Sequence, residues 1–262
     1  MNDFIAKTLR GLANSFAPAS VNTIEKVRQP TSEEAKSEML KNLFLSVKKS
    51  GVEPTHVIDV GANCGDWTRE CRKYFPTSRY TLIEPNPAMR AHVEDLITAN
   101  SNIEFHNIGA SDKTESLLFT IVERDDSCNF LLTAEQAAKH GYKQITVPVF
   151  AIDDFIEENC LPPAQILKID AEGLDLKVLR GATKTIDHCD LVLTEAAVMC
   201  KWHSKFENTV YELVRFMHDK GFTLFDITDL NRTISSRNLW LIELAFVKKD
   251  GKIDNSVISF TQ

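Results

Sequence analysis

Val57-Ile58-Asp59-Val60-Gly61-Ala62-Asn63-Cys64-Gly65 is the stretch from which the rest of the chain can be read. A short apolar run breaks into a glycine turn. An amphipathic segment follows, with Trp67, Cys71, Tyr74 and Phe75 on one face, and ends at Pro76. Strand, tight turn and helix in that order form a βα unit. Its glycines let the backbone pass close under a ligand, and its helix start offers free amide groups. The spacing is G-x-x-x-G and not the G-x-G-x-x-G of dinucleotide sites, and Asp59 stands just before it.

Outward from this turn the pattern repeats. Downstream, the run Tyr80–Ile83 meets a helix predicted to be capped by Asn86, with Pro87 at its first position and Met89, Val93, Leu96 and Ile97 buried. Ile103–Ile108 is a third run, Gln165–Ile169 a fourth and Leu191–Thr194 a fifth. The fifth is followed by a helix using Phe206, Val210, Leu213 and Met217 and closed by Gly221. Two β-rich stretches, Leu117–Val122 and Ile145–Phe150, flank the polar residues Asp125, Asp126 and Ser127 and predict a β insertion near the sheet edge. The chain then predicts two strands, Thr223–Ile227 and Leu239–Val247, with no helix between them, as in an antiparallel hairpin beside a parallel sheet. Upstream, residues 1–30 lack periodicity. Thr31 opens a capping box with Glu34, and Met39, Leu40, Leu43, Phe44 and Val47 recur at helical spacing until Gly51. The expected division is an N-terminal leader and helical addition over 1–50, one α/β domain over 51–250 and a tail over 251–262.

Composition narrows the function. The 262 residues hold 30 Lys plus Arg against 37 Asp plus Glu, a net charge of −7, which argues against nucleic acid as the main partner. No apolar run reaches the ~18 residues of a membrane span. Lys7 and Arg10 interrupt the apolar N-terminus where a signal peptide needs an unbroken stretch. Cys64, Cys71, Cys128, Cys160, Cys189 and Cys200 are scattered, without zinc spacing, and read as reduced thiols of a cytoplasmic protein. No metal-ligand triad is legible, and no metal is expected.

In an open α/β sheet the residues after each strand meet the ligand. Asp59 beside the first turn would repel a pyrophosphate and suit an ammonium or sulfonium, the latter the group that S-adenosylmethionine carries. The bland alternative is a structural turn, with Asp59 capping the helix. Glu84, about 20 residues past the glycine turn, stands where an acid accepts both hydroxyls of a ribose, although a carboxylate is also favoured near a helix N-terminus. Asp112, in Gly109-Ala110-Ser111-Asp112, is a candidate for an adenine amino group or for an ordinary Asx turn. The expected cofactor set is Asp59, Gly61, Asn63, Gly65, Glu84, Asn86, Ser111, Asp112 and Asp170.

Together these segments resemble the FkbM family of class I S-adenosylmethionine-dependent methyltransferases. The resemblance rests on VIDVGANCG (57–65), LIEPNP (82–87), NIGASD (107–112), VPVFAIDDF (147–155), LKIDAEGLDLKVLRGA (167–182) and LVLTEA (191–196). It covers roughly residues 55–200. It implies a Rossmann-like fold with a mostly parallel seven-stranded sheet and an antiparallel C-terminal hairpin. It also implies S-adenosylmethionine as cofactor and a sugar, glycan or polyhydroxylated metabolite as small-molecule acceptor of an O-methyl group. Asp59, Gly61, Glu84 and Asp112 then match cofactor positions, and the strand end at Asp170 borders cofactor and acceptor. Glu243 departs from the family, which more often has Asp there.

Methyl transfer to a hydroxyl requires oxygen, carbon and sulfur in line and removal of a proton, for which Asp170, Glu195 and His203 are the candidate bases. Glu172 and Trp202 are candidate acceptor contacts. Glu172 otherwise favours the start of the following helix, Trp202 packs over the sheet, and His203 caps or is exposed. For Arg180 and Gly181 the structural reading leads, with a carboxylate partner for the arginine and a helix closed by the glycine. The competing functions are a nicotinamide-dependent oxidoreductase and a non-catalytic cofactor-binding module. The first lacks its third glycine, and none of Tyr74, Tyr80, Tyr142 and Tyr211 is followed four residues later by Lys.

Overall fold

The computed structural model describes residues 32–122, 128–198, 207–233 and 236–256. The chain divides into two units, Met1–Glu34 and Ala35–Gln262, and the second carries both sheets described below. Helix α1 spans Ser32–Lys49, followed by strand β1 (His56–Val60), helix α2 (Asp66–Arg72) and strand β2 (Arg79–Ile83). A 3₁₀ turn over Pro87–His92 precedes α3 (Glu94–Ala99) and β3 (Ile103–His106). The insertion holds β4 (Gly109–Ser111), β5 (Glu115–Ile121), α4 (Ala134–His140) and β6 (Lys143–Ala151). Helix α5 (Ile152–Glu158) leads to β7 (Ile166–Ile169), α6 (Asp175–Arg180), α7 (Thr183–Ile186) and β8 (Leu191–Ala197). Last come α8 (Val210–Asp219), β9 (Phe222–Arg232), β10 (Leu239–Lys248) and α9 (Lys252–Asn255).

Among the described residues, seven strands form one sheet in the order β3-β2-β1-β7-β8-β10-β9, and only β10 runs against the rest. Strands β1 and β7 are buried along their whole length, which is why they read as apolar runs, broken only by Asp59 and Lys168 and by His56 at the start of β1. Alternate side chains feed two cores. Ile58, Leu167, Val192 and Phe246 pack with α5, α6 and α8 on one face, whereas Val57, Tyr80, Leu193 and Val247 pack with α1 and α2 on the other. On the second face Phe44 of α1 lies 5.6 Å from the ring of Trp67 and 6.2 Å from that of Phe75.

Four local expectations differ from the structure. The third run ends at His106. Gly109–Ser111, expected as a turn, instead forms β4, which pairs in parallel with Val149–Ala151 of β6 in a second sheet of order β4-β6-β5. Helix α4 inside the insertion was not anticipated, although Thr133 and Gln136 form a full capping box at its start. The helix expected after Asn86 splits at Val93 into a 3₁₀ turn and α3, while Asn86 does cap, accepting from the Ala88 amide. Gly181 does close α6 as expected, its amide donating to the Leu179 and Lys177 carbonyls, but with φ −82° and not in a left-handed conformation. A Cβ there would lie 2.2 Å from the Ser111 carbonyl oxygen, and the residue is small because β4 passes against it.

Candidate active site

The chain leaves β1 for β2 and β3 on one side and returns to β7 and β8 on the other. The crevice at the carboxyl ends beside β1 and β7 is therefore a topological switch point. A cavity of about 290 Å³ opens there. Its walls hold Gly61, Asn63 and Glu84 from the β1 and β2 ends, Asp170 and Glu172 from the β7 end, and Glu195 from β8. Asp229, Asn231 and Trp240 come from β9 and β10, and Lys36 from α1. Phe119, Cys128 and Phe130 of the insertion and Ala110 of β4 add an apolar wall.

Glu84 is buried and its carboxylate is held from two sides. Oε2 accepts from the Asn63 amide at 2.9 Å and Oε1 from the Asn86 amide at 2.7 Å. A carboxylate offers about four acceptor sites, so two bonds orient it and leave capacity for a ligand. Burial pushes its pKa up against the pull of those amides and of Lys168. Asn63 is brought into place by a left-handed turn (φ 47°). Gly61 (φ 71°) is required because a Cβ would lie 1.8 Å from the Asp170 carbonyl oxygen, where the ends of β1 and β7 touch.

Behind this wall lies a lysine that sequence reasoning passed over. Lys168 pairs in register with Asp59 across β7 and β1. Its Nζ is 3.3 Å from Asp59 Oδ1, 3.5 Å from Asp170 Oδ2 and 3.1 Å from the Gly61 carbonyl oxygen. Burial works to discharge the lysine, but Asp59, Asp170 and Glu243 outweigh it and hold the ammonium charged. Asp59 also accepts from Thr68 Oγ1 at 2.6 Å. The only signal for Lys168 was a cation inside an apolar run, which in a buried strand demands a partner.

Asp175, also missed, is fully buried at the start of α6. Its Oδ1 accepts from Thr194 Oγ1 at 3.2 Å and the Glu195 amide at 3.1 Å, and its Oδ2 from Asn208 Nδ2 at 3.2 Å. Asn208 Nδ2 in turn donates to the Glu195 carbonyl. Burial and the charge of Asp170 raise the pKa of Asp175 to about 7. Burial also lifts Glu195 well above the usual carboxylate range, reinforced by Asp170, Asp175, Glu172 and Glu243.

Of the residues expected at the cofactor, Gly61, Asn63, Glu84 and Asp170 line the cavity, as do Glu195 and Glu172 from the catalytic and acceptor sets. Asp59 does not. The carboxylate set against a sulfonium on sequence grounds is turned inward to Lys168 and Thr68. Gly65, Asn86, Ser111 and Asp112 also lie off the cavity wall. Gly65 packs against Val93, Asn86 holds Glu84, and exposed Asp112 accepts from Ser111 Oγ at 3.2 Å. Glu172 does not open the following helix, which begins at Asp175. It sits in a left-handed conformation (φ 49°) before Gly173 (φ 92°), a strained turn of the kind found at ligand-binding walls. Arg180 Nη1 meets Glu207 Oε2 at 2.5 Å, the carboxylate partner expected for it. His203, Trp202, Lys201, Asp125, Asp126, Ser127, Phe206, Cys200 and Thr31 lie outside the described residues. The signal for Lys36, Asp229, Asn231 and Trp240 was absent, because their meeting depends on how α1, β9 and β10 are laid against the sheet.

The strand order and the antiparallel β10 define a Rossmann-like class I methyltransferase fold. The family model described as Methyltransferase FkbM domain matches residues 59–224, more than half of the chain, and the chain belongs to that family. A curated relative, Methyltransferase 1 of Beauveria bassiana (strain ARSEF 2860), is 25% identical over 195 residues, covering 66% of this chain and 74% of its own. Among solved structures, the Methyltransferase FkbM from Methylobacillus flagellatus KT is 17% identical with a TM-score of 0.47. That match covers 72% of this chain and 43% of the other, so the chain spans less than half the length of that relative. An O-methyltransferase from Bacillus cereus in complex with SAH is 14% identical, with 93% and 90% covered and a TM-score of 0.46. No helix among the described residues is long and apolar enough to cross a membrane.

Proposed function

We propose that the chain transfers a methyl group from S-adenosylmethionine to a hydroxyl of a sugar, glycan or other polyhydroxylated metabolite. The observation that carries this reading is Glu84, an acid fixed by two backbone amides in the wall of the switch-point crevice beside Gly61. Glu84 would grip the donor's ribose hydroxyls, and Phe119, Phe130 and Ala110 would flank its base. When bound, the donor supplies an electrophilic methyl carbon whose bonding pair departs with sulfur, leaving a neutral thioether. Asp170 then takes the acceptor's hydroxyl proton as the new C–O bond forms, while Lys168, beside it, keeps the carboxylate oriented. Glu172 and Glu195 face the acceptor, and the strand ends on either side of Asp170 bring the two partners together. The carboxylates of the wall disfavour a pyrophosphate, which counts against a nicotinamide cofactor. The free thiols of Cys64, Cys71, Cys160 and Cys189 fit work in a reducing compartment such as the cytoplasm.

Calorimetric titration with S-adenosylhomocysteine, and with NADH in parallel, tests the reading. The thioether is expected to bind and NADH not to; NADH binding alone would end it. Glu84→Ala should weaken the thioether by about 1–3 kcal/mol through loss of charge-assisted hydrogen bonds. Asp170→Asn should depress turnover while leaving thioether affinity nearly intact; full turnover in that variant would remove Asp170 from the chemistry.

A further inference from the structure

Carboxylates cross the sheet in a row just beyond the cofactor end. Asp170 follows β7, Glu195 lies in β8, Glu243 is its direct partner on β10, and Asp229 is the partner of Glu243 on β9. Like charges directly opposite on neighbouring strands repel, so such a row needs cations set against it. Three of the four have them. Lys168 Nζ is 3.5 Å from Asp170 Oδ2, and Lys36 Nζ is 2.6 Å from Asp229 Oδ2. Glu243 accepts from Thr228 Oγ1 and lies in the field of both lysines.

Glu195 is the exception. Its carboxylate lines the cavity and is partly buried, yet among the described residues it accepts no hydrogen bond and forms no ion pair. The groups that set its field are carboxylates on every side: Asp170 and Glu172 at the β7 end, Asp175 on α6 and Glu243 on β10. The nearer cations are committed elsewhere, Lys168 to Asp59 and Asp170 and Lys36 to Asp229. A partly buried carboxylate set among like charges is stabilised by a cation brought in with a ligand. The donor's sugar does not answer it, since Glu84 stands at the β2 end, three strands away, or roughly 14 Å at ~4.8 Å per strand. Trp240 and Asn231 line the same end as Glu195. An indole face adds attraction for an ammonium, and an amide adds a hydrogen bond for a hydroxyl.

We propose that the methyl acceptor carries a protonated amine in addition to its hydroxyls, as an amino sugar or amino polyol does, and that Glu195 holds the ammonium at the end of the cavity lined by Trp240. The inference rests on the methyl-transfer reading above and specifies its acceptor. Because Glu195 must ionise to pair, amine binding releases a proton from the protein below the raised pKa of the free carboxylate.

The test uses the full chain loaded with S-adenosylhomocysteine. It compares the methyl glycosides of glucosamine, 6-amino-6-deoxyglucose, N-acetylglucosamine and glucose by calorimetry near pH 6.5 in two buffers of different ionisation heat. At least one free amine should bind tenfold or more tightly than the N-acetylated and plain glycosides, with a buffer-dependent heat that reports proton release. Glu195→Gln, which removes charge from a repulsive row, should reduce that preference to within threefold and change S-adenosylhomocysteine affinity by less than twofold. Equal binding of amine and neutral probes, no binding by either amine, a preference that survives Glu195→Gln, or one that appears only with added Mg²⁺ would overturn the inference. Failure of S-adenosylhomocysteine itself to bind would instead overturn the methyl-transfer reading on which it stands.

Discussion

Lys168 shows how one side chain ties a core to a site. It neutralises Asp59, which is wholly buried, and it touches Asp170 at the cavity wall. Lys168→Met leaves Asp59 as an uncompensated interior charge and should cost about 3–5 kcal/mol of stability, read as a lowered urea midpoint. Asp59→Asn in the same chain should recover much of that loss. Asp175 makes a separate prediction about pH. Its pKa is 3.8 in the unfolded chain and about 7 when folded, so between about pH 4 and 7 only the folded state holds the proton. Stability contributed by this group is full below about pH 4, falls as pH rises through about 7, and is flat above. Urea midpoints measured from pH 4 to 8 should show that decline, and Asp175→Asn should remove it. Neither residue stood out in the sequence. The meaning of Lys168 lies in its register with Asp59, 109 positions away, and Asp175 looks like any acid in a first helical turn.

At the level of elements, legibility followed burial. Strands β1, β2, β7 and β8 are covered on both faces, so composition alone betrays them. Strand β4 has three small residues and no periodicity, and it exists only because β6 offers it a partner. The apolar pattern predicts five residues for β9, which runs for eleven, because an edge strand tolerates Asp226, Asp229 and Asn231 where a central one would not. The contact between β4 and the end of α6 is testable. Gly181→Ala has an ordinary φ, so any cost is steric, from a Cβ 2.2 Å from the Ser111 carbonyl. It should destabilise the fold by about 2–3 kcal/mol. It should also weaken S-adenosylhomocysteine binding, because Gly109 and Ala110 of β4 line the cavity. Denaturation and titration of the same variant check both.

For the molecule as a whole, α1 is part of the second core. Leu43, Phe44 and Val47 are fully buried there, with Phe44 set among Trp67, Tyr74 and Phe75. Phe44→Ala should cost about 3–5 kcal/mol, with far- and near-ultraviolet circular dichroism still reporting one coincident transition. The same helix delivers Lys36 to the cavity, which ties the electrostatics of its wall to a segment outside the residues matched by the family model.

The chain's own order of residues determined the alternation of buried strands and helices, the glycine turn at Gly61 and the acid at Glu84, because each is written in neighbours a few positions apart. Folding in three dimensions decided that Asp59 faces a lysine instead of a ligand, that Glu243 stands opposite Glu195, and that α1, β9 and β10 close one end of the crevice. Those outcomes depend on register and on packing between segments far apart in the chain. Local periodicity carries no information about which strand will lie beside which, whereas the energy of a buried charge is set almost entirely by what lies beside it.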